Sequence, residues 1–305
     1  MKKNYGMPYK GSKNAIAEKL INFLPPAEHF YDLFGGGGAI SHCAMLLGKY
    51  KHVHYNELDP LTFKGFKMAI NGEFKNENRW VSREDFIKLK DTDPYVAICF
   101  SFGNDLKTYA YGEDVEPFKK AVHYSIFFND NSLLKEYADL RDFNYSSENS
   151  KERRLELQRY LKVLLRENKI NVDYGVSNCT ILQSQSATER LENLERLERL
   201  QNLNLQNLDY GEVQIEDAGV IYCDIPYRST NKYKTSFDHD RFYRWAEQQD
   251  NIFISEYEMP DNFIELLSVK KQINMSANGK SHGKEEKLFT NQKTFERLNS
   301  GNKFL

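Results

Sequence analysis

Strand–helix alternation at both ends of the chain, broken in the middle, constrains the fold more than any other feature. Near the start, HFYDLF reads as a short buried strand, GGGG (Gly35–Gly38) as a tight loop and AISHCAMLL as a helix. HVHYNELD then reads as a second strand and PLTFKGFKMAI as a second helix. A helix precedes them, with Ile16, Leu20, Phe23 and Leu24 as its apolar residues, Ser12 as its expected cap and Pro25–Pro26 as its stop. After Tyr210 the alternation resumes: AGVIYCDIP as a buried strand, HDRFYRWAEQQ as a helix, NIFISEY as a strand, and FIELLSVKKQI as a helix or strand. Such alternation builds a sheet of parallel strands with helices on its faces. The expected fold class is α/β, a doubly wound, mostly parallel sheet.

Residues 75–188 have a different character and read as a mainly helical insertion between two parts of the sheet domain, 1–74 and 189–305. SREDFIKLK is a capped short helix, YVAICFSF reads as a strand, and FGNDLKTYAYGED is a polar, aromatic loop. SKERRLELQRYLKVLLRENK reads as a long helix with seven Lys/Arg against three Glu. That helix is either a solvated amphipathic surface or one that faces phosphates. From Leu191 to Leu203 leucine occupies every third position. A step of three drifts around an α-helix by about 60° each time, so no narrow stripe forms. The Glu192–Arg196 and Glu195–Arg199 spacings favour a helix, which runs into a strand at LNLQNLDY.

Composition excludes several classes. The four cysteines are widely spaced with no CxxC pair, so neither a zinc site nor a disulfide scaffold is expected. The N-terminus has no apolar signal core and no run approaches membrane-spanning length, so a soluble, cytoplasmic protein is expected. The net charge of −2 does not announce a nucleic-acid binder, yet such binding uses local patches.

Ligands of parallel sheets sit at the carboxyl ends of the strands, and Asp32, Glu57 and Asp224 all fall there. The glycine run lacks the third glycine of GxGxxG, since Ile40 stands in its place, and no Gly-Lys-Ser/Thr follows. It is either a plain tight turn or a loop that lets a ligand approach the backbone. Glu57 is either a solvated loop carboxylate or an acceptor for ribose hydroxyls. In VIYCDIPYRST, Pro226 lacks an N–H and holds Ile225 extended. The segment is a strand end with a turn, or else a place where Asp224 and the Ile225 carbonyl accept from a planar NH₂ group stacked on Tyr227.

Three motifs in order resemble the Dam-like (alpha-arrangement) DNA adenine-N6 methyltransferases. Tyr9–Lys13 (YKGSK) is similar to their W-x-G-G-K segment, Asp32–Gly38 to their D/E-P-F-x-G-x-G motif, and Asp224–Tyr227 (DIPY) to their Asp-Pro-Pro-Tyr tetrapeptide. FISEYEMPDNF and EEKLF look like C-terminal segments of phage-type members. The resemblance implies a Rossmann-like methyltransferase fold in which residues 75–188 recognise the target. It implies methyl transfer from S-adenosylmethionine to the amino group of a flipped adenine, with Asp224, Ile225, Pro226 and Tyr227 at the reacting base. Tyr9, Lys13, Asp32, Phe34, Gly35, Gly37 and Glu57 would hold S-adenosylmethionine, with Asp224 against it. Two positions depart from the pattern: Ile225 replaces the first proline of the tetrapeptide and Tyr9 replaces tryptophan.

For the insertion, Arg153, Arg154, Arg159, Lys162 and Arg166 are candidate phosphate contacts. Asn104, Lys107 and Tyr109 are candidate base contacts, or else part of a loop that only packs. The expected partner is double-stranded DNA, with a cognate restriction endonuclease as a further candidate, and a monomer or weak dimer as the assembly. No metal is expected. The alternatives are a methyltransferase acting on RNA or a protein amide, and an inactive, DNA-binding methylase homologue.

Overall fold

The computed structural model of the chain describes residues 4–141, 143–167, 169, 170, 182, 187, 190, 191, 194, 202–228, 237–271 and 284–300. The chain divides into two compact units, residues 1–73 with 193–305, and residues 74–192.

The first unit is built on a seven-stranded sheet with the order β3-β2-β1-β4-β5-β7-β6. Its strands are β1 (His29–Asp32), β2 (His52–Asn56), β3 (Leu203–Gln206), β4 (Val220–Asp224), β5 (Ile252–Glu256), β6 (Phe263–Lys271) and β7 (Lys284–Asn291). The first five run parallel, while β7 pairs antiparallel with both β5 and β6. The helices are α1 (Ala17–Phe23), α2 (Ala39–Leu47) and α3 (Pro60–Ile70), and after the insertion α8 (His239–Gln248) and α9 (Gln292–Asn299). Alternate residues of each strand feed opposite faces. Phe30, Val53 and Tyr222 join the core under α1 and α2, while Tyr31, Ile221, Cys223 and Ile254 join the one under α8. Strand order reverses between β1 and β4, the switch point at which open sheets leave a crevice.

FIELLSVKK resolves as strand rather than helix because β7 offers it a ladder partner, with a bulge between Glu265 and Leu267. Ser12 does not cap α1: the helix starts at Ala17 with no side-chain cap, and Ser12 sits in a turn, its hydroxyl accepting from Asn14 N at 3.3 Å.

The second unit contains α4 (Arg83–Leu89), α5 (Pro94–Cys99), α6 (Glu116–Phe128) and α7 (Ser150–Arg166). Ser82 caps α4, as its sequence suggests. The expected strand YVAICFSF is instead the helix α5. Asp93 accepts from Tyr95 N at 2.9 Å and Pro94 occupies the first turn. Those two start signals outweigh the strand preference of Val96 and Ile98. Leu157, Leu161 and Leu164 of α7 pack with Phe118, Val122 and Ile126 of α6 in a core of their own. Most of the leucine repeat, expected as a helix, lies outside the described residues, among which its Leu191 and Leu194 are buried, and the strand it was expected to enter is β3. Among the described residues no helix is long and apolar enough to cross a membrane.

Candidate active site

The glycine loop is held by three hydrogen bonds with Tyr55, Asn56 and Glu57 at the end of β2. Gly35 N donates to Asn56 O at 2.8 Å, Gly36 N to Glu57 Oε2 at 2.7 Å, and Tyr55 OH to Gly36 O at 2.7 Å. Space demands glycine here as much as dihedral angle does. A Cβ on Gly35 would lie 2.2 Å from the Tyr55 ring, and one on Gly38, where φ is +70°, 2.1 Å from the Phe66 ring.

The N-terminal segment lies along this loop. Met7 N donates to Gly37 O at 2.8 Å and Gly6 N to His42 Nδ1 at 2.9 Å. Burial depresses His42 to a pKa of about 4, which keeps that acceptor neutral. The segment lays Tyr9 on the glycines: a Cβ on Gly37 would come within 2.6 Å of Tyr9 Cβ. Four residues later Lys13 turns inward and is 3 % exposed.

Lys13 joins the two ends of the chain. Its Nζ donates to Asp224 Oδ1 at 2.6 Å and to Tyr227 OH at 2.5 Å, and stands 3.3 Å from Glu286 Oε1. Burial alone would lower its pKa, but the Asp224 and Glu286 carboxylates outweigh that and raise it. Lys13 is therefore an ammonium at any pH near neutrality. Tyr227 in turn donates to Glu286, and burial followed by the charges of Asp224 and Glu286 pushes its phenol far up. Its ring meets Tyr257 edge-on at 4.5 Å.

The carboxyls at the strand ends share one electrostatic trend. Asp32 is buried, with Oδ2 accepting from Ser41 N at 3.1 Å and Ser41 Oγ at 2.7 Å. Burial, helped by the Asp224 charge and opposed by the Ser41 bonds, pushes it up to about 7. Glu57 accepts from Asp59 N at 2.8 Å as well as from Gly36, and burial lifts it to about 7 despite those bonds. Glu256, which ends β5, also rises to about 7, mainly by burial.

Of the residues expected from sequence, Tyr9, Lys13, Asp32, Gly35, Gly37, Glu57, Asp224 and Tyr227 gather at the carboxyl ends of β1, β2 and β4 and the loops beside them. Phe34 instead turns toward Tyr210, Phe237 and Phe242, with ring centroids 5.5–5.7 Å away. Ile225 is 1 % exposed and packs in the core under α8. The Pro226 carbonyl lies 2.8 Å from His239 Nε2, which anchors the turn to α8.

Sequence reading missed Glu256, Glu286, Tyr257 and His239. Glu256 obeys the same rule as Asp32 and Asp224, an acid at a strand's carboxyl end, and could have been found by it. Glu286 sits inside an antiparallel strand, and KEEKLF alone does not show which glutamate faces inward. An open cleft of about 620 Å³ lies alongside, lined by Tyr257, Glu256, Arg228, Tyr243 and Met259 among others.

In the second unit the expected contacts separate. Tyr109 is buried, its hydroxyl donating to Val81 O at 2.8 Å, so it packs rather than reaching outward. Asn104 is half-buried and donates to Ile98 O at 2.9 Å, while Lys107 is exposed. Arg153 is tied to Ser147 O at 2.9 Å and Arg154 is half-buried. Arg159, Lys162 and Arg166 are exposed, and their spacing of three and four places them on one face of α7, away from its buried leucines.

A family model described as D12 class N6 adenine-specific DNA methyltransferase matches residues 9–274. No curated protein matches the chain.

Proposed function

The chain belongs to the D12 class of N6 adenine-specific DNA methyltransferases, and on that premise we propose how its residues divide the work. The reaction is methylation of the adenine amino nitrogen in DNA. The observation that carries our assignment is the Lys13 ammonium seated on Asp224, with Tyr227 beside both.

We take S-adenosylmethionine as the methyl donor, and the residues fit it. The glycine loop leaves backbone where side chains would otherwise stand. Above pH 7, where Asp32, Glu57 and Glu256 are mostly ionised, they join Asp224 and Glu286 against the Lys13 ammonium and give the site a negative surplus suited to a cation. Tyr9 and the glycine loop would hold the ligand, and Glu57 keeps lone pairs for ribose hydroxyls beyond its bonds from the backbone of Gly36, Leu58 and Asp59. When bound, S-adenosylmethionine supplies an electrophilic methyl group on a sulfonium.

The adenine amino nitrogen is a poor nucleophile because its lone pair is delocalised into the ring. Asp224 and the Ile225 carbonyl accept its two N–H groups and hold that lone pair out of the ring plane, in line for attack. The Lys13 ammonium pairs with Asp224 at 2.6 Å and orients its carboxylate, and the proton that the amino nitrogen sheds would pass along its hydrogen bond to that carboxylate. The Tyr227 ring stacks on the extruded base and offsets part of the few kcal/mol that flipping costs. Residues 74–192 serve as the target-recognition unit, with Arg159, Lys162 and Arg166 on phosphates. Incubation with radiolabelled cofactor should label duplex DNA and leave RNA and protein unlabelled. Label in RNA or protein alone would overturn the assignment.

A further inference from the structure

A second cluster of chemistry-bearing side chains lies toward the opposite ends of β1 and β2. The parallel register sets His29 beside His52 and Tyr31 beside His54. The period of two puts all four on one face of the sheet. The rings of His29 and His52 stack at 4.8 Å, those of His29 and His54 at 5.3 Å, and Tyr31 covers His54 at 4.2 Å. Glu28, the residue before β1, brings Oε1 to 4.0 Å from His52 Nε2. One ligand atom from each of Glu28, His29 and His52 lies within 4.8 Å of the others.

We propose that Glu28, His29 and His52 bind a divalent transition-metal ion of the zinc class, with His54 as the group that orients His29. Two imidazoles and a carboxylate are a donor set for such an ion, and three protein ligands leave a fourth position to water. The ladder between β1 and β2 holds the two imidazoles side by side, so only side-chain rotation is needed to close the site. His29 Nδ1 lies 3.0 Å from His54 Nε2, and with His29 as the donor in that bond its Nε2 lone pair is left for the metal. That bond from the far side of a ligating ring is the usual means of fixing its tautomer. Asn204, whose Nδ2 stands 3.4 Å from His54 Nδ1, then turns its amide oxygen to the His54 N–H. Lys51 competes, since its Nζ holds Glu28 Oε1 at 2.8 Å, and the ion takes over that carboxylate. An ion here ties β1 to β2 toward the ends opposite Asp32 and Glu57, so it steadies the sheet without entering the chemistry. The expectation of no metal rests on cysteine spacing, and this site uses none.

Metal-free full-length protein titrated with Co(II) should show one equivalent bound, with visible ligand-field bands. Zn(II) should displace the cobalt and raise the melting temperature. His52→Gln and Glu28→Gln, both at exposed or half-exposed positions, should each weaken binding at least tenfold and abolish the zinc-dependent rise while leaving the metal-free melt unchanged. His54→Ala should weaken binding about tenfold or more without removing a ligand. Absence of a one-equivalent site in the wild type would overturn the proposal. So would an affinity unchanged in the His52→Gln, Glu28→Gln double variant.

Discussion

Replacing Gly35 by alanine tests whether the glycine loop is a ligand cradle made by exclusion. The added methyl would fall 2.2 Å from Tyr55 Cε2 and 2.4 Å from its Cδ2, against about 3.5–4.0 Å for an ordinary carbon contact. Tyr55 cannot yield: it is wholly buried, stacks on Phe66 at 4.2 Å, and its hydroxyl holds Gly36 O at 2.7 Å. Overpacking of this kind costs about 1–3 kcal/mol, and losing the Tyr55 bond adds about 1 kcal/mol. Relief therefore comes from moving the loop itself, which displaces Gly36 N from Glu57. Gly35→Ala should lower the melting temperature by roughly 4–8 °C and weaken S-adenosylmethionine binding by more than tenfold in calorimetry. Gly112→Ala is the control, because its methyl would meet nothing closer than Val115 Cγ2 at 3.9 Å. A Gly35→Ala protein that melts and binds cofactor like the wild type would refute the reasoning.

Asp32 and Glu57 are both lifted to about 7, so both are mostly ionised above that pH and protonated below it. A cationic ligand favours the ionised forms, and cofactor affinity should fall up to about tenfold per group between pH 8 and pH 6; a flat calorimetric profile would contradict this. Ile225→Pro trims a buried side chain and should cost about 1–2 kcal/mol of stability while leaving the transfer rate near wild type, because the atom we assign to the amino group is a backbone carbonyl oxygen. A large change in kcat would mean that the side chain itself matters. Neutralising Arg159, Lys162 and Arg166 to glutamine should make the slope of log K against log salt shallower by about 0.9 for each phosphate no longer neutralised, and an unchanged slope would return that face of α7 to ordinary solvent-facing surface.

Asp32, Glu57 and Asp224 were legible because a parallel sheet collects the carboxyl ends of its strands in one place, and the strands themselves were marked by apolar runs. Lys13 was legible only through its family motif; nothing in KGSKN shows that the ammonium crosses to a residue 211 positions away. YVAICFSF misled because its β-branched and aromatic content masks a start signal of two residues, Asp93 and Pro94. The sequence could not decide between the alternatives for Tyr109 and Arg153 for a related reason. Both types serve surfaces well, and only tertiary contacts show that Val81 O and Ser147 O already take their donors. Glu286 and His239 were invisible because each acts through a contact that only the tertiary fold makes, with Tyr227 and Pro226.

Methyl transfer by Asp224→Ala tests the centre of the account most directly. Lys13 keeps Glu286 at 3.3 Å when Asp224 is removed, so the variant should stay folded and can be compared at matched cofactor saturation. With duplex DNA and radiolabelled S-adenosylmethionine, its kcat should fall roughly a hundredfold to a thousandfold, the usual loss when one preorganised hydrogen-bonding group is removed from a transition state. Incorporation at the wild-type rate by the variant would contradict the role given to Asp224, and a wild-type protein that labels no duplex DNA would contradict the account as a whole.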